Sequence, residues 1–379
     1  MSKLWPFLGG LLCLSVVVST WIQRPKRIDL EIVLLSSERL IEGESLYQLE
    51  DDNEHTKSAL LSFLTIPLTW APRTMVWRFS DLLNFILYVG LAYYLAKQTR
   101  PPPALETWKF ALLGILFTLN AWNGEFRHGQ YNVLSLVLVV YARLGAINEV
   151  RGLAYFLALL LKPTNLIFLP WIFIRKSGRL AVALWGGGWG ALVSIAFIFS
   201  FGWERLFSLH QQWLSFLPHS MEKHLYRVDN YGLPSWLASH DFPSLHPWLL
   251  IVSVLLAFIV SSRSSWQGSL AFCGYLICLA SPMTWLQNFT LLLPLAIYSM
   301  GQFNHRRNPV ETLLWGGGLV IFYASFQIYN PTTCALGLCD YPSELPFYGF
   351  LVSGVCFGMG ALLVRVQRKQ AVKLQLESV

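Results

Sequence analysis

The chain is 379 residues long, and 54% of its residues are hydrophobic whereas only 13% are charged. A soluble globular protein carries about 25% charged residues, so this composition excludes a single soluble domain of this length. The formal net charge is +7, but the basic residues lie mainly in short segments between apolar runs, and no nucleic-acid-binding motif is present. Apolar stretches of about 18 or more residues recur along the chain, which predicts several membrane-spanning helices.

Taken in order, the apolar runs predict an all-α protein, a polytopic transmembrane bundle of about twelve helices that forms one domain over residues 1–379. The first run is expected to be an uncleaved span, because no small-residue cleavage site follows it. Two runs around Lys162 are too short to cross alone, so they are expected to meet at a break in the membrane. The predicted segments are Leu4–Ile22, Met75–Lys97, Leu105–Ala121, Tyr131–Asn148, Gly152–Leu161, Asn165–Ile174, Leu180–Phe201, Pro247–Ser262, Gly268–Ala280, Leu286–Met300, Val310–Gln327 and Phe347–Val364.

The distribution of Lys and Arg predicts that both termini are cytoplasmic, because basic residues then collect on the cytoplasmic side. This orientation requires that Leu60–Ala71 does not span and that residues 153–174 count as two passes. We expect the cytoplasmic (inner) membrane of a bacterium, with the active site on the periplasmic or extracellular face. The cytoplasmic basic residues are Lys97, Arg100, Arg143, Arg151, Arg175, Lys176, Arg179, Arg263, Arg306, Arg307, Arg365, Arg368, Lys369 and Lys373.

Three segments are then expected on the outer face. The first outer loop, residues 23–74, contains an amphipathic stretch, Ile28–Ile41, and is expected to form interfacial helices. The second is Trp122–Gln130. The third, residues 202–246, is rich in Trp, His and Tyr, and we expect a long outer loop without regular structure, which is often a functional segment.

Asp29 follows the first span and several basic residues. A carboxylate at the mouth of a membrane cavity can act as a general base if an attacking hydroxyl lies within hydrogen-bond reach. The alternative is an interfacial carboxylate paired with its basic neighbours, and position alone favours this structural role.

A second polar cluster runs from Glu125 to Asn132 and includes Arg127, His128 and Gln130. We expect it to open the next span, and a helix N-terminus with added positive charge can bind an anion. Helix capping and interfacial anchoring explain the same residues equally well.

Lys162-Pro163 interrupts a long apolar run. An ionisable residue at membrane depth costs about 2.5–3.5 kcal/mol, so it indicates a functional site, and a phosphate would be a suitable ligand. The proline frees backbone groups that a protein-lined cavity can satisfy. The alternative is a lysine that extends to the interface from a short helix.

Trp285, Gln287 and Asn288 lie between two spans on the predicted outer face. The tryptophan fits the interfacial aromatic belt, and the two amides can either bind a ligand or cap the next helix. Cys334 and Cys339 share a polar loop and form a disulfide if that loop faces an oxidising compartment, although two free thiols fit the spacing too. No metal-binding, nucleotide-binding or serine-hydrolase motif is present.

Four stretches together resemble the polytopic GT-C glycosyltransferases, in particular glycosyltransferase family 87. Each motif is short, but their order and spacing match across most of the chain. They are similar to the aspartate and Gly-x-x-x-Tyr turn, the Gly-Gln-x-Asn motif, the Leu-Lys-Pro break and the Ser-Pro-x-Thr-Trp loop of the family. In this chain they are Asp29 to Tyr47, Gly129-Gln130-Tyr131-Asn132, Leu161-Lys162-Pro163-Thr164 and Leu279 to Trp285. Lys57 stands where the family has a Tyr-Pro-Pro-like turn, and Gln287 and Asn288 stand where it often has histidine.

The resemblance implies a GT-C fold and an inverting transferase that takes a sugar, most often mannose, from a polyprenyl phosphate. The acceptor would be a lipid-linked glycan or a glycolipid, and membrane lipids would surround the protein. Asp29 would deprotonate the acceptor, and Lys162, Arg127 and His128 would neutralise the leaving phosphate. No cofactor is expected, and a divalent metal stays open although no motif indicates one. The remaining candidates for binding substrate are Tyr47, Lys57, Glu125, Gln130, Asn132, Trp285, Gln287 and Asn288.

Three other functions stay open at this point. A lipid transporter or flippase would use the same cations to bind an anionic head group without making a bond. A ligase or polymerase of lipid-linked glycans would need a lipid-diphosphate donor. A non-catalytic membrane scaffold would tolerate the loss of Asp29.

Overall fold

The described part of the protein consists of α-helices and short 3-10 helices, and no strand occurs in it. The computed structural model describes residues 27–47, 55–99, 105–174, 178–226, 230–305, 309–327 and 348–363, together with isolated positions in the first apolar run. The predicted all-α class is therefore confirmed.

Fifteen α-helices are assigned within these ranges. They are α1 Ile28–Glu42, α2 Ala59–Thr69, α3 Arg73–Gln98, α4 Leu105–His128, α5 Asn132–Leu144, α6 Asn148–Leu161, α7 Leu169–Phe173, α8 Arg179–Phe201, α9 Trp203–Leu225, α10 Leu233–Ser239, α11 His246–Arg263, α12 Trp266–Ala280, α13 Leu293–His305, α14 Pro309–Gln327 and α15 Tyr348–Leu363. The 3-10 helices are Pro163–Phe168, Pro243–Leu245 and Leu286–Leu292.

Two helices, α3 and α8, are long and apolar enough to cross a membrane, as judged by length and composition. The 23 residues of α8 extend about 34 Å, which matches a hydrocarbon core about 30 Å thick. Most of the α8 surface faces outward, and Phe199 is 88% exposed. Such exposed apolar surface is not expected next to water, so these helices indicate a membrane protein. The number of about twelve spans stays a prediction.

The main hydrophobic core joins α3, α4, α5, α6, α12 and α13 with parts of their neighbours. Trp122 of α4 is fully buried and stacks on Tyr88 of α3, with ring centroids 4.5 Å apart. Large aromatic rings of this kind bury the most apolar area for each residue, so they fix how the helices pack. A second core lies between α1, α2, α8 and α9.

Several predicted boundaries are wrong. The segment Trp122–Gln130 is not a loop, because α4 continues through it to His128. The predicted span Tyr131–Asn148 ends earlier, since α5 stops at Leu144 and α6 begins at Asn148.

The third outer segment, residues 202–246, was also expected to lack regular structure. It is mostly helical instead, with α9 and α10 inside it. Its apolar residues recur at helical spacing, and this periodicity determines the local structure despite the high content of polar and aromatic residues.

Residues 23–74 contain two helices, α1 and α2, that are joined by a buried polar network. The imidazole of His55 lies between two hydroxyls, with Nδ1 3.1 Å from Ser36 Oγ and Nε2 3.1 Å from Ser62 Oγ. Ser37 Oγ is 2.8 Å from Thr65 Oγ1. These bonds satisfy polar groups that would otherwise be costly to bury between two apolar helices.

A buried ion pair joins the beginning of α1 to α3. Arg27 Nη2 lies 2.5 Å from Asp81 Oδ2, and Arg27 Nε lies 3.2 Å from Asp81 Oδ1. The two side chains are only 4% and 5% exposed. A two-pronged contact of this kind fixes the position of the chain just before Asp29.

We predict that Asp81→Asn destabilises the protein by about 3–5 kcal/mol, because it leaves the buried guanidinium of Arg27 without a counter-charge. The double variant Arg27→Met/Asp81→Leu should recover most of this loss. Arg73→Ala is the control. Arg73 pairs with Glu31 and Glu38, and these side chains are 31–37% exposed, so the variant should lose less than about 1 kcal/mol of stability. Thermal unfolding in nanodiscs measures all three. A double variant as unstable as Asp81→Asn would contradict the argument.

Stability should also depend on pH through His55. Burial, with the nearby charges of Lys57 and Arg39, lowers the pKa of His55 from 6.5 to about 3. The unfolded chain therefore takes up this proton below about pH 6.5 while the folded chain does not, so stability falls by about 2 kcal/mol between pH 6.5 and pH 5.

His55→Gln should remove this part of the pH dependence of the unfolding midpoint. His219→Gln, which changes an exposed histidine, should leave it unchanged. Equal pH slopes in the wild type and in His55→Gln would show that the imidazole is not buried as described.

Candidate functional site

Four segments that are distant in the sequence meet around Asp29. They are the beginning of α1, the turn between α4 and α5, the break after α6 and the segment before α13. Gln130 Nε2 donates a hydrogen bond of 2.9 Å to Asp29 Oδ2, across 101 residues of sequence. Lys162 Nζ donates one of 3.1 Å to Asn288 Oδ1, across 126 residues.

The turn at Gly129 brings Gln130 to Asp29. Gly129 has φ +67°, which L side chains rarely adopt, and a Cβ there would lie 3.1 Å from Cβ of both Arg27 and Leu30. The backbone N–H of Gln130 then donates to Glu125 O at 3.0 Å. Glycine is therefore required both for the conformation and for the close approach of α1.

Asp29 lies in the first turn of α1 and is half-buried. Its Oδ2 accepts from Gln130, whereas its Oδ1 makes no hydrogen bond to any described residue. A carboxylate with one oxygen fixed by the protein and one oxygen free can accept a proton from a bound hydroxyl.

Two amides fix the orientation of Gln130. Asn132 Nδ2 donates to Gln130 Oε1 at 3.1 Å and to the backbone oxygen of Gln287 at 3.0 Å. Because Gln130 Oε1 accepts from Asn132, its Nε2 must face Asp29. Asn132 Oδ1 is buried and has no partner among the described residues, so it is a spare acceptor beside the site.

Glu125 is fully buried near the end of α4. Its Oε1 accepts from the backbone N–H of Val133 at 2.8 Å and from Asn84 Nδ2 at 3.1 Å. Asn84 Oδ1 in turn accepts from Trp122 Nε1 at 2.7 Å. Glu125 thus gives the backbone N–H of Val133, in the first turn of α5, an acceptor and connects this turn to α3 and α4.

Lys162 ends α6 at the predicted break, where the chain enters the 3-10 helix Pro163–Phe168. Its amine uses one of three donors on Asn288, which also donates from Nδ2 to Met283 O at 2.8 Å. Lys162 interacts electrostatically with Asp29, Lys57 and Glu125. The amine of Lys162, at the break, thus lies among polar and charged side chains.

Lys57 adds a second cation near Asp29. Burial lowers the pKa of the Lys57 amine, and the charge of Asp29 opposes this shift. Tyr47 does not reach Asp29, since its hydroxyl donates to the backbone oxygen of Lys57 at 3.0 Å. Tyr47 therefore positions the Lys57 backbone.

Trp285 packs edge-on against His224 of α9, with ring centroids 5.6 Å apart. Asn230 joins the same two segments, because its Nδ2 donates to His224 O at 3.1 Å and to Pro282 O at 2.7 Å. Its Oδ1 accepts from the N–H of Thr284 at 2.9 Å. Asn230 is therefore held against the Ser281–Thr284 turn.

The sequence profile of glycosyltransferase family 87 matches residues 59–282, more than half of the chain. The chain belongs to glycosyltransferase family 87. No curated protein and no solved structure matches it. Membership of the family, together with the two apolar helices, indicates a membrane glycosyltransferase that has a sugar donor and an acceptor as substrates.

The family match includes part of the predicted site and leaves part of it outside. Glu125, Gln130, Asn132 and Lys162 lie within residues 59–282. Asp29, Tyr47, Lys57, Trp285, Gln287 and Asn288 lie outside that range. The hydrogen bonds from Gln130 to Asp29 and from Lys162 to Asn288 connect the two groups.

Two predicted cations lie elsewhere than expected. Arg127 and His128 are in the last turn of α4, so they do not open a helix as the sequence suggested. Arg127 is exposed and His128 is half-buried. The extension of α4 beyond its apolar run explains the error. Cys334 and Cys339 lie outside the described residues.

Asn84 and Asn230 were not among the predicted site residues. Asn84 is an amide side chain within the apolar part of α3, three residues after Asp81, and polar residues in an apolar helix are a signal that could have identified it. Among the described residues, no group of three or more His, Cys, Asp or Glu side chains is arranged to hold a metal ion.

We predict that Gly129→Ala impairs the site more than Gly43→Ala does. Gly43 also has positive φ, +81°, but a Cβ there meets no atom within 4 Å. Gly43→Ala should therefore cost only the strain of the left-handed conformation, about 1 kcal/mol. Gly129→Ala should cause the same conformational strain and should also displace Arg27 or Leu30. It should therefore lower glycosyl transfer, as measured with radiolabelled donor.

If the two alanine variants lost equal stability and equal activity, the contact of Gly129 with α1 would have no role. Thermal unfolding, measured in parallel, separates lost stability from a displaced Gln130.

Proposed function

We propose that this protein transfers mannose from a polyprenyl phosphate to a lipid-linked glycan or glycolipid on the outer face of a multi-pass membrane bundle. The observation that carries the proposal is the half-buried Asp29, with two lysines close to it. Gln130 fixes one of its carboxylate oxygens, and the other has no hydrogen-bond partner among the described residues. Family membership supports the transferase chemistry.

In the proposed reaction the acceptor hydroxyl attacks the anomeric carbon of the donor sugar. Asp29 takes the proton of that hydroxyl through its free oxygen as the new C–O bond forms. The bond between the anomeric carbon and the phosphate oxygen breaks, and polyprenyl phosphate leaves with the electron pair. Attack opposite the leaving group inverts the anomeric centre.

The leaving phosphate gains negative charge, and a nearby cation stabilises that charge most where water is excluded. Lys162 suits this role, because Asn288 holds its amine through one hydrogen bond and leaves two donors for phosphate oxygens. Lys57 supplies a second positive charge, and Arg127 and His128 lie just before the Gly129 turn. No nucleotide is required, because the phosphate ester is already an activated donor.

The amides supply the hydrogen bonds that sugar hydroxyls need. Asn132 Oδ1 has no hydrogen-bond partner in the described part of the chain, and Gln287 lies beside Asn132 because its backbone oxygen accepts from Asn132 Nδ2. Trp285 has a half-buried ring next to His224, where a sugar face can stack. We assign these three side chains to the donor or acceptor glycan, and we assign Tyr47 and Glu125 to positioning.

The test compares wild type, Asp29→Asn and Glu42→Gln in nanodiscs with radiolabelled polyprenyl-phosphate-mannose and a membrane lipid extract. Asp29→Asn keeps the shape but loses the base, so transfer should fall at least about 100-fold. Glu42→Gln alters an exposed carboxylate at the other end of α1 and should retain full transfer.

Equal product from wild type and Asp29→Asn would exclude Asp29 as the base. If product formed only with a different sugar on the polyprenyl phosphate, that sugar would replace mannose as the proposed donor. The assignment of Asp29 as the base would stay in place. Product only with a lipid-diphosphate donor would point to a glycan ligase or polymerase.

A further inference from the structure

Helix α9 has three distinct faces along its 23 residues. The first face is buried against the protein and includes Leu206, Leu209 and Phe216, which are at most 7% exposed. These residues pack with α1, α2 and α8 in the second hydrophobic core. One face of α9 is therefore fully accounted for by the fold.

The second face is apolar and exposed. Trp203, Phe207 and Leu214 are 63%, 54% and 63% exposed. At 3.6 residues per turn they lie within about 40° of one another around the helix axis. The rings of Trp203 and Phe207 stack along this face, with centroids 6.5 Å apart. Single exposed apolar residues are common, but an aligned row of large ones indicates a covered surface.

The third face is polar and exposed, and it lies next to the apolar one. Glu204, Gln211, Ser215 and Glu222 are all exposed, and they too fall within about 40° around the axis. The exposed surface of α9 is thus divided lengthwise into an apolar half and a polar half. A helix that lies at the boundary of lipid and water has this division.

The position of α9 in the chain identifies what covers the apolar half. Helix α8, which is long and apolar enough to span, ends at Phe201, and α9 begins at Trp203 after a bend at Gly202. Trp203 thus follows this candidate span after one residue, and tryptophan is enriched where spans leave the hydrocarbon layer. Phe199, in the last turn of α8 before this bend, is 88% exposed, so large exposed apolar residues lie on both sides of Gly202.

We propose that α9 lies in the plane of the membrane interface, with Trp203, Phe207 and Leu214 in the boundary between lipid head groups and acyl chains. The partner is the lipid surface itself. This proposal does not depend on the proposed sugar transfer.

The inner side of α9 gives this placement a consequence for the site. Arg205 donates from Nη2 to Glu44 O, and Ser45 Oγ donates to Gln212 Oε1 at 3.2 Å. Trp213 Nε1 donates to Thr56 O at 3.1 Å, next to Lys57. Through these bonds the interfacial helix holds the first outer segment, and so Lys57, at a fixed depth relative to the lipid surface.

The test places nitroxide labels on single cysteines introduced into the full chain after replacement of its six native cysteines. The labelled variants are Phe207→Cys and Leu214→Cys on the apolar face, with Ser215→Cys and Glu222→Cys as controls on the polar face. The protein is placed at one copy per nanodisc. Oxygen concentrates in the bilayer and a nickel chelate stays in water, so power saturation measures which reagent reaches each label.

We expect labels at 207 and 214 to be more accessible to oxygen than to nickel, and labels at 215 and 222 to show the reverse. Strong access of nickel to all four positions would overturn the proposal, because both halves would then be in water. Access of neither reagent to 207 and 214 would also overturn it, since a protein surface would then cover them.

A second measurement uses the unaltered chain, in case the cysteine replacements prevent folding. A phospholipid with a diazirine near its head group is incorporated into the nanodisc and photolysed, and the adducts are mapped by mass spectrometry. Adducts at Trp203, Phe207 and Leu214 but not at Ser215 or Glu222 support the proposal. Their absence from α9, with adducts present on α8, overturns it.

Discussion

The buried ion pair between Arg27 and Asp81 is the contact on which the arrangement around Asp29 depends. It fixes the residue two positions before Asp29 to the long apolar helix α3. Two charges are costly to bury, and this cost is offset only when the geometry is good and both partners are present. The guanidinium meets both carboxylate oxygens, so the beginning of α1 has one position relative to the bundle.

From that fixed point the site is assembled mainly from amides and backbone groups. Gly129 lets the turn after α4 approach Arg27, and Gln130, Asn132 and Gln287 follow in a chain of hydrogen bonds. Amides keep their donors and acceptors at every pH, so they orient Asp29 without competing for its proton. The charged groups, Lys57 and Lys162, are the ones that the proposed function assigns to the charge that develops in a substrate.

The sequence predicted those parts of the protein that depend on local pattern. The runs that became α3 and α8 have enough apolar residues to be recognised by length, and Lys162-Pro163 predicted the break at which α6 ends. The 3-10 helix that follows the break was not predicted. Asp29 and Gln130 were selected from short motifs, and they do lie together.

The features that depend on tertiary contacts could not be predicted in the same way. The pairs Arg27 with Asp81 and Glu125 with Asn84 lie 54 and 41 residues apart, and nothing local marks the partner. Helix α9 was missed for a different reason. Two of its faces are apolar and one is polar, so the average hydropathy of the segment resembles that of a loop. The apolar residues nevertheless recur with the 3.6-residue period of a helix.

The long sequence separations within the site also bear on the order in which the protein can be made. Asn132 donates to the backbone of Gln287, 155 residues later in the chain. During synthesis Asp29, Gln130 and Lys162 leave the ribosome well before Gln287 and Asn288 do. The nascent chain therefore passes through a stage in which its first helices are complete but the hydrogen bonds that hold Asn132 and Lys162 cannot yet form.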